Sequence, residues 1–205
     1  MKHIRIIGSA ATAVLALAAV IGVGTASATE LYRLTSGAPA DTLSKGTEIV
    51  GTLTGGTAKL TSTGGALLDT CTGGEVRGIT GTAGSSTTTV SGAISALTWT
   101  GCTEPTETSV KGELEIHSKT NTQGTVTAKN TVVKVNTTVF EAICEYTVGS
   151  ALDLGILFPA ATSSGQALIG VNVVVPAKNS FFCPDARWEA EYNVTSPLGL
   201  VVETS

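Results

Sequence analysis

The feature that most constrains the fold is an alternation of apolar and polar residues in three separate stretches. In "SVKGELEIHS" (residues 109–118), Leu114 and Ile116 fall on one face of an extended chain, and charged residues occupy the other. "VFEAICEYTV" (residues 139–148) and "ARWEAEYNV" (residues 186–194) repeat the pattern. A period of two is that of a β-strand with one face on a core and the other in water. The sequence therefore predicts strands at these three places.

Composition extends the β-prediction to the rest of the chain. Thr is the commonest polar residue, and Thr and Val favour strands because a branched Cβ packs well on a pleated surface. The 24 glycines include pairs at 55–56, 64–65 and 73–74, which predict the tight turns of a hairpin meander. Shorter apolar or Thr-rich runs predict further strands at 48–53, 58–63, 75–81, 87–93, 94–100, 124–129, 131–137, 152–158, 167–175 and 198–203.

No stretch keeps an apolar period of 3.6, so the chain is expected to be all-β. Many short strands without helices predict an antiparallel β-sandwich, of jelly-roll or immunoglobulin-like type, with a β-barrel as the alternative. The most apolar stretches of the later chain, "LGILFPA" and "ALIGVNVVVPA", are expected to be buried on both faces. One domain over 29–205 is the preferred division, and two small β-domains meeting near residue 120 remain the alternative.

The first 28 residues have the pattern of a secretory signal peptide. Lys2 and Arg5 precede an apolar run, and Ala26-Ser27-Ala28 is the small-x-small sequence before a cleavage site. The alternative is an uncleaved anchor, but the apolar run is shorter than the roughly 20 residues of a membrane span. We therefore expect cleavage after Ala28 and a secreted, extracellular protein. No later stretch is long and apolar enough to predict a transmembrane helix.

Charge excludes one class of partner. The net charge of the full chain is −4, and the sequence contains no cluster of Lys and Arg. Nucleic acid binding needs such clusters to neutralise phosphates. We therefore expect no nucleic acid partner.

Four cysteines in an exported chain are expected to form disulfides. The alternatives are zinc ligands, which usually occur in close pairs, and a nucleophile, which needs a histidine as its base. Similar flanks, "LDTCT" with "WTGCT" and "AICEY" with "FFCPD", favour the pairs Cys71–Cys102 and Cys144–Cys183.

The residues that could carry catalysis are few. His117 is the only histidine outside the leader, and no G-x-S-x-G or phosphate-binding motif accompanies it. The aspartates at 41, 69, 153 and 185 are scattered and do not form a calcium-loop motif. Carboxylate pairs suited to acid–base work occur only where a strand's polar face is predicted, at Glu113/Glu115, Glu141/Glu145 and Glu189/Glu191. We expect no enzyme activity, no cofactor and no metal.

Several segments together resemble a group of uncharacterised exported proteins of actinobacteria. They are "LTSTGGALLDTCTGGEVRG", "SSTTTVSGAISALTWTGCT", "GELEIHS" and "WEAEYNVTSP", in this order after a signal peptide. The resemblance covers nearly the whole chain after the leader. It implies a secreted, β-rich, disulfide-bearing protein, and it carries over no functional residues.

Trp99 and Trp188 each fall beside a cysteine-bearing strand. We expect them to pack in the core over a disulfide, whereas the rival interpretation is an exposed platform for a sugar or a cell-wall polymer. The sequence favours a non-catalytic role outside the cell, by binding or as a component of the cell surface or matrix. The alternatives are a carrier of a small apolar ligand and an oligomeric β-barrel pore that uses "ALIGVNVVV".

Overall fold

The computed structural model describes residues 29–36, 38–82, 84–85, 89–108, 112–119, 123–138, 141–149, 151–178 and 181–203. The predicted signal peptide and its cleavage site at Ala28 lie outside these residues. Within the described ranges the chain forms strands and no helix, so no helix there is long and apolar enough to cross a membrane. The strands are β1 (Thr29–Thr35), β2 (Ala38–Thr42), β3 (Glu48–Ser62), β4 (Leu67–Thr80), β5 (Gly84–Ser85), β6 (Val90–Cys102), β7 (Thr106–Thr108), β8 (Glu113–Ser118), β9 (Gly124–Lys129), β10 (Thr131–Thr137), β11 (Ala142–Val148), β12 (Leu152–Phe158), β13 (Ala167–Val175), β14 (Ala186–Ser196) and β15 (Leu200–Glu203).

Eight of these strands close into an antiparallel barrel in the order β12-β13-β14-β3-β4-β6-β8-β9, with β9 pairing back to β12. The all-β prediction is confirmed. The architecture is the barrel that the sequence left as the alternative, in place of the preferred sandwich. Closure pairs the backbone N–H and C=O groups of what would otherwise be the two edge strands of the sheet, whereas a sandwich of the same strands would leave these groups unpaired.

Irregular pairing helps to explain why the sheet curls into a barrel. The ladder between β14 and β3 shifts register between Glu189 and Glu191, and the ladder between β3 and β4 shifts between Thr52 and Ala58. Both shifts fall around Gly55 and Gly56, whose φ angles are 72° and 111°. Such bulges increase the local twist and bend the strand. This glycine pair therefore bends one long strand, where the sequence predicted a turn between two.

A second close approach occurs where β12 meets β13. A Cβ on Gly155 would stand 1.8 Å from the carbonyl oxygen of Gly170, so only a glycine fits there. The β12–β9 ladder also shifts register between Asp153 and Gly155. The backbone is therefore bent at a second point of the barrel wall.

One end of the barrel is covered by a sheet of β15, β1 and β2, with β5 also paired to β1; we call it the base sheet. It contributes fully buried residues such as Leu31, Leu200 and Val202 to a cluster that includes Leu157 and Val194 of the barrel. The paired strands β1 and β15 therefore help to fill the barrel interior.

The other end is covered by a sheet of β7, β10 and β11, which we call the cap sheet. Its residues Val135, Cys144 and Tyr146 belong to the same buried cluster as Val171 and Tyr192 of the barrel. The cap sheet is thus continuous with the core rather than a separate layer.

The cap sheet is attached to the barrel through the segment between β13 and β14. Cys144 of β11 forms a disulfide with Cys183 of this segment. Next to it, the amide of Lys178 donates to the carbonyl of Glu145 at 2.8 Å, and Tyr146 forms an isolated bridge with Ala177. One covalent bond and a short ladder therefore link the cap to the barrel wall.

Most of the predicted strands match the structure closely. The predictions at 124–129, 131–137, 152–158 and 167–175 coincide with β9, β10, β12 and β13. The three alternating stretches become β8, β11 and β14, although residues 109–111 and 139–140 lie outside the described part. The predictions at 48–53 and 58–63 overlap one strand, β3, and residues 90–93 join 94–100 in β6, whereas residues 87 and 88 lie outside the described part. The strands β1, β2, β5 and β7 were not predicted.

Candidate functional site: an apolar cavity under the cap sheet

The barrel and the cap sheet together surround a cavity of about 110 Å³. All eight barrel strands and all three cap strands contribute to its lining. The cavity is present partly because two buried lining residues, Ala58 on β3 and Ala128 on β9, carry only a methyl group. Val133 and Val135 of β10 cover it from the cap side. The lining is almost wholly apolar, which favours an apolar occupant.

An aromatic cluster forms one wall of the cavity. The rings of Trp99 and Trp188 meet edge to face at 5.3 Å, and those of Trp188 and Tyr192 at 6.5 Å. The indole Nε1–H of Trp99 donates to the hydroxyl of Tyr192 at 3.3 Å. Both tryptophans are half-buried and pack on the cluster that contains Cys71. The two tryptophans therefore lie at the core, beside a disulfide, as the sequence predicted.

The third glycine pair makes room for this wall. Gly73 and Gly74 lie inside β4, opposite Thr100 and Trp99 of β6, and not at the predicted turn. A Cβ on Gly74 would stand 2.7 Å from Cδ1 of Trp99, and one on Gly73 would stand 2.4 Å from Oγ1 of Thr100. The missing side chain therefore lets the Trp99 ring lie against the neighbouring strand. Of the three pairs, Gly64-Gly65 lies at the β3–β4 hairpin.

Tyr146 of the cap sheet lines the cavity and is 2% exposed. Its hydroxyl oxygen is buried without a hydrogen-bond partner. Burial, together with the negative charge of Asp185, raises the pKa of Tyr146 to about 12. Burial likewise raises the pKa of Tyr192 to about 12, against the lowering effect of its bond with Trp99. Both phenols are therefore neutral at ordinary pH.

A buried carboxylate, Asp69, lies at the rim of the cavity and is 3% exposed. It accepts hydrogen bonds from the hydroxyls of Thr103 (2.9 Å) and Thr106 (2.6 Å) and from the amides of Thr70 (2.7 Å) and Glu104 (3.0 Å). These donors belong to β4, to the connection from β6 to β7, and to the first residue of β7. Asp69 therefore fixes the start of the cap sheet, because a buried carboxylate is stable only where donors satisfy it.

The structure joins Cys71 to Cys102 across neighbouring positions of β4 and β6, and Cys144 to Cys183, the pairs favoured by the flanking sequences. The sulfurs of Cys71 and Cys102 lie close to a carboxylate oxygen of Asp69. Because both sulfurs are tied up in the disulfide, they provide no thiolate for a metal. Asp69 and the Cys71–Cys102 disulfide therefore have a structural role, in which they join β4 to β6.

The predicted acid–base candidates lie away from the cavity. His117 and Lys129 flank Glu115, at 3.3 Å and 2.5 Å, and the hydrogen bond from Lys129 holds the pKa of Glu115 below its ordinary value. Lys178 lies 2.9 Å from Glu145 and lowers the pKa of that carboxyl in the same way. These carboxylates take part in ion pairs outside the cavity, one of them between β8 and β9.

The third carboxylate pair borders an open groove on the outer wall, with a volume of about 600 Å³. Glu189 and Glu191 line it with Lys59, Asn172 and the half-exposed ring of Phe158. The side-chain oxygen of Asn172 accepts from Arg187 at 2.6 Å. The groove is open and mixes polar with apolar surface, whereas the cavity inside the barrel is almost wholly apolar.

Comparisons with known proteins identify no similar protein: no family model, no curated protein and no solved structure matches the chain. The candidate site is therefore defined by its own geometry.

Sequence reasoning missed two residues of this site. The alternation in "VFEAICEYTV" places Tyr146 on the same face as Cys144, but nothing in the sequence indicates that its hydroxyl lacks a partner. Asp69 follows two leucines in "LLDT", and an acid beside an apolar run and a cysteine is a signal of burial. That signal was available, and it would have separated Asp69 from the other aspartates.

Proposed function

We propose that the protein is a secreted, non-catalytic carrier of a small apolar molecule, which binds in the cavity between the barrel and the cap sheet. The observation that carries this proposal is the apolar cavity of about 110 Å³. An apolar cavity of about 150 Å³ in another protein stays dry and accepts benzene, so the volume here suits a molecule of one small ring. An eight-stranded barrel is also the size that holds one small ligand.

The chemistry of the lining supports binding rather than catalysis. Among the described residues that line the cavity, the charged ones are Lys59, which is exposed, and Asp69, whose oxygens accept four hydrogen bonds. Neither is poised as a base or a nucleophile facing an apolar occupant. We therefore keep the assignment of no enzyme activity as part of the proposal.

Two disulfides fit an oxidising environment, which supports the extracellular part of the proposal. The leader pattern of residues 1–28 supports it independently. We place the chain, on its motifs, with the uncharacterised exported proteins that it resembles. Such a carrier is favoured over the pore because the interior is filled with apolar side chains and covered at both ends.

A binding experiment tests the carrier function. Benzene is titrated into the purified chain while methyl signals of the protein are followed by NMR. We expect saturable shifts confined to cavity-lining residues such as Val133, Val135 and Val171. The Ala128→Leu variant should lose these shifts, because three added carbons occupy the space.

The matched control is Ala93→Leu, which adds the same carbons at an exposed position on β6. It should bind benzene as the unmodified chain does. Shifts that do not saturate, or that persist unchanged in a folded Ala128→Leu variant, would contradict the proposal.

A second candidate function is binding of a cell-wall polymer along the outer groove. It is favoured by the volume of about 600 Å³ and by the row of hydrogen-bonding groups beside Phe158. Retention on insoluble cell-wall material that is lost in Asn172→Ala/Glu191→Ala, but kept in the exposed control Asp41→Ala, would support it. Equal retention of all three proteins would exclude the groove as the binding site.

A further inference from the structure

Among the described residues that line the cavity, Tyr146 has a buried hydroxyl oxygen without a hydrogen-bond partner. The residue is 2% exposed. Leaving a buried donor unsatisfied costs free energy, so such a group in a native protein needs an explanation. Because this hydroxyl belongs to the lining of a cavity, a molecule bound there is the explanation that we pursue.

Three other donors of the lining already have acceptors. The indole N–H of Trp99 donates to Tyr192, the hydroxyl of Thr106 donates to Asp69, and the hydroxyl of Thr131 donates to the carbonyl of Lys129. A ligand with a hydrogen-bond acceptor could therefore use the O–H of Tyr146, a buried donor of this lining that has no partner. Burial keeps the phenol protonated, and a protonated phenol is a donor.

The lining also restricts the rest of the ligand. A charged molecule would lose its hydration in a wall made of alanine, valine, leucine and tryptophan side chains, and that cost is large. A neutral molecule of one ring satisfies both the volume and the lining.

We propose that the ligand is a neutral, single-ring molecule with one hydrogen-bond acceptor, and that Tyr146 donates to this acceptor. The inference rests on the proposed carrier function, since it concerns the same cavity. It adds the chemical class of the ligand and the residue that selects it.

Benzene and pyridine form a matched pair of probes, because they share shape and size and only pyridine carries an acceptor. Dissociation constants of both are measured, at a pH where pyridine is neutral, for the unmodified chain and for Tyr146→Phe. The variant should weaken pyridine relative to benzene by about fivefold, the size expected for one neutral hydrogen bond. Tyr32→Phe is the control, because the Tyr32 hydroxyl donates to Glu30 in the base sheet, away from the cavity.

A spectroscopic readout keeps the test independent of affinity. The nitrogen signal of ¹⁵N-labelled pyridine shifts when the nitrogen accepts a hydrogen bond. In the complex with the unmodified chain it should lie at the bonded position, and in Tyr146→Phe at the unbonded position. The variant should also unfold at a higher temperature without ligand, because an unsatisfied buried hydroxyl is removed.

The outcomes separate the two proposals. If benzene binds in the cavity but Tyr146→Phe affects benzene and pyridine equally, the ligand class is wrong and the carrier function stands. If neither probe binds to the unmodified chain, the carrier function fails and the ligand class fails with it.

Discussion

At Gly74, an added methyl group would stand 2.7 Å from Cδ1 of Trp99 and 3.0 Å from the carbonyl oxygen of Thr98. At Tyr146, a hydroxyl is buried without a partner. The shape of the aromatic wall therefore depends on the missing side chain at Gly74. The hydrogen-bonding capacity of the cavity depends on the unpartnered hydroxyl at Tyr146. Neither property is visible in hydrophobic periodicity, which reports only which face of a strand a residue occupies.

Gly74→Ala tests the close approach at the aromatic wall. The new methyl group must displace the Trp99 ring, so we expect the free energy of unfolding to fall by about 1–3 kcal/mol, the usual cost of overpacking. The tryptophan emission spectrum should change with it. Both are measured by urea unfolding followed by fluorescence.

The control for this change is Gly64→Ala, in the glycine pair at the β3–β4 hairpin. Its added methyl group would have Ser62 Oγ as its nearest neighbour, at 3.8 Å. Its effect should stay within about 0.5 kcal/mol, without a spectral change. Equal losses in the two variants would refute the account of the wall.

Asp69→Asn tests the hydrogen bonds by which Asp69 of the barrel holds the start of the cap sheet. An amide offers one acceptor oxygen where the carboxylate uses two, so donors from Thr103, Thr106 or the Glu104 amide lose their partner. We expect a loss of about 2–4 kcal/mol in the free energy of unfolding, since buried donors are left unsatisfied. The exposed Asp41→Asn, which breaks only a 3.7 Å surface ion pair with Arg33, should cost less than about 1 kcal/mol. Similar losses for both would mean that Asp69 has no such role.

At the scale of the element, strand positions were largely predictable and strand junctions were not. β9, β10, β12 and β13 could be predicted because each is a short apolar or Thr-rich run between polar residues. The pairs at Gly55-Gly56 and Gly73-Gly74 were interpreted as turns, since glycine permits both a turn and a close approach. Only the partner strand decides between the two, and its register is not contained in the local sequence.

The two disulfides close loops of similar length, with separations of 31 and 39 residues, but they join different elements. In the chain-entropy model each contributes about 4 kcal/mol to the free energy of unfolding. Cys71–Cys102 links two barrel strands that are already paired, whereas Cys144–Cys183 links the cap sheet to the segment between β13 and β14. Their removal should therefore differ in its effect on the cap.

Cys144→Ser/Cys183→Ser should release benzene at least tenfold faster than the unmodified chain, because a loss of about 1.4 kcal/mol in local opening free energy changes the open population tenfold. Cys71→Ser/Cys102→Ser should lose comparable global stability with much less change in release. Ligand exchange measured by NMR gives both rates. If benzene release is accelerated equally in the two variants, release does not depend on local opening of the cap sheet.

For the whole molecule, the all-β class and the two cysteine pairs could be predicted, the barrel was predicted only as the alternative to a sandwich, and its cavity could not be predicted. The cavity exists because Ala58, Ala128 and the covering valines of β10 come from strands far apart in the chain. No local pattern indicates that two alanines on β3 and β9 border the same space. Closure itself depends on bulges whose effect is cumulative around the barrel.

The stability of the whole molecule should fall in alkaline solution. The pKa values of Tyr146 and Tyr192 are raised to about 12 in the folded chain, whereas an unfolded tyrosine titrates near 10. The contribution of these two phenols to the free energy of unfolding is fully present below about pH 10. It is lost as the pH rises towards 12, because over that range only the unfolded chain releases the protons. Between pH 10 and 12, Tyr192 alone should lower the free energy of unfolding by about 1.4 kcal/mol per pH unit.

Urea unfolding at a series of pH values measures this slope. Tyr192→Phe should reduce the slope between pH 10 and 12, whatever its effect on stability at neutral pH. A slope unchanged by the substitution would contradict the burial of this phenol.

A crystal structure of the chain exposed to benzene vapour tests most directly whether the barrel and its cap sheet enclose a site for a small apolar molecule. We expect one ordered benzene between the Trp99–Trp188 wall and Val133 and Val135 of the cap sheet. Benzene found only on the outer surface, with side chains filling the interior, would contradict it.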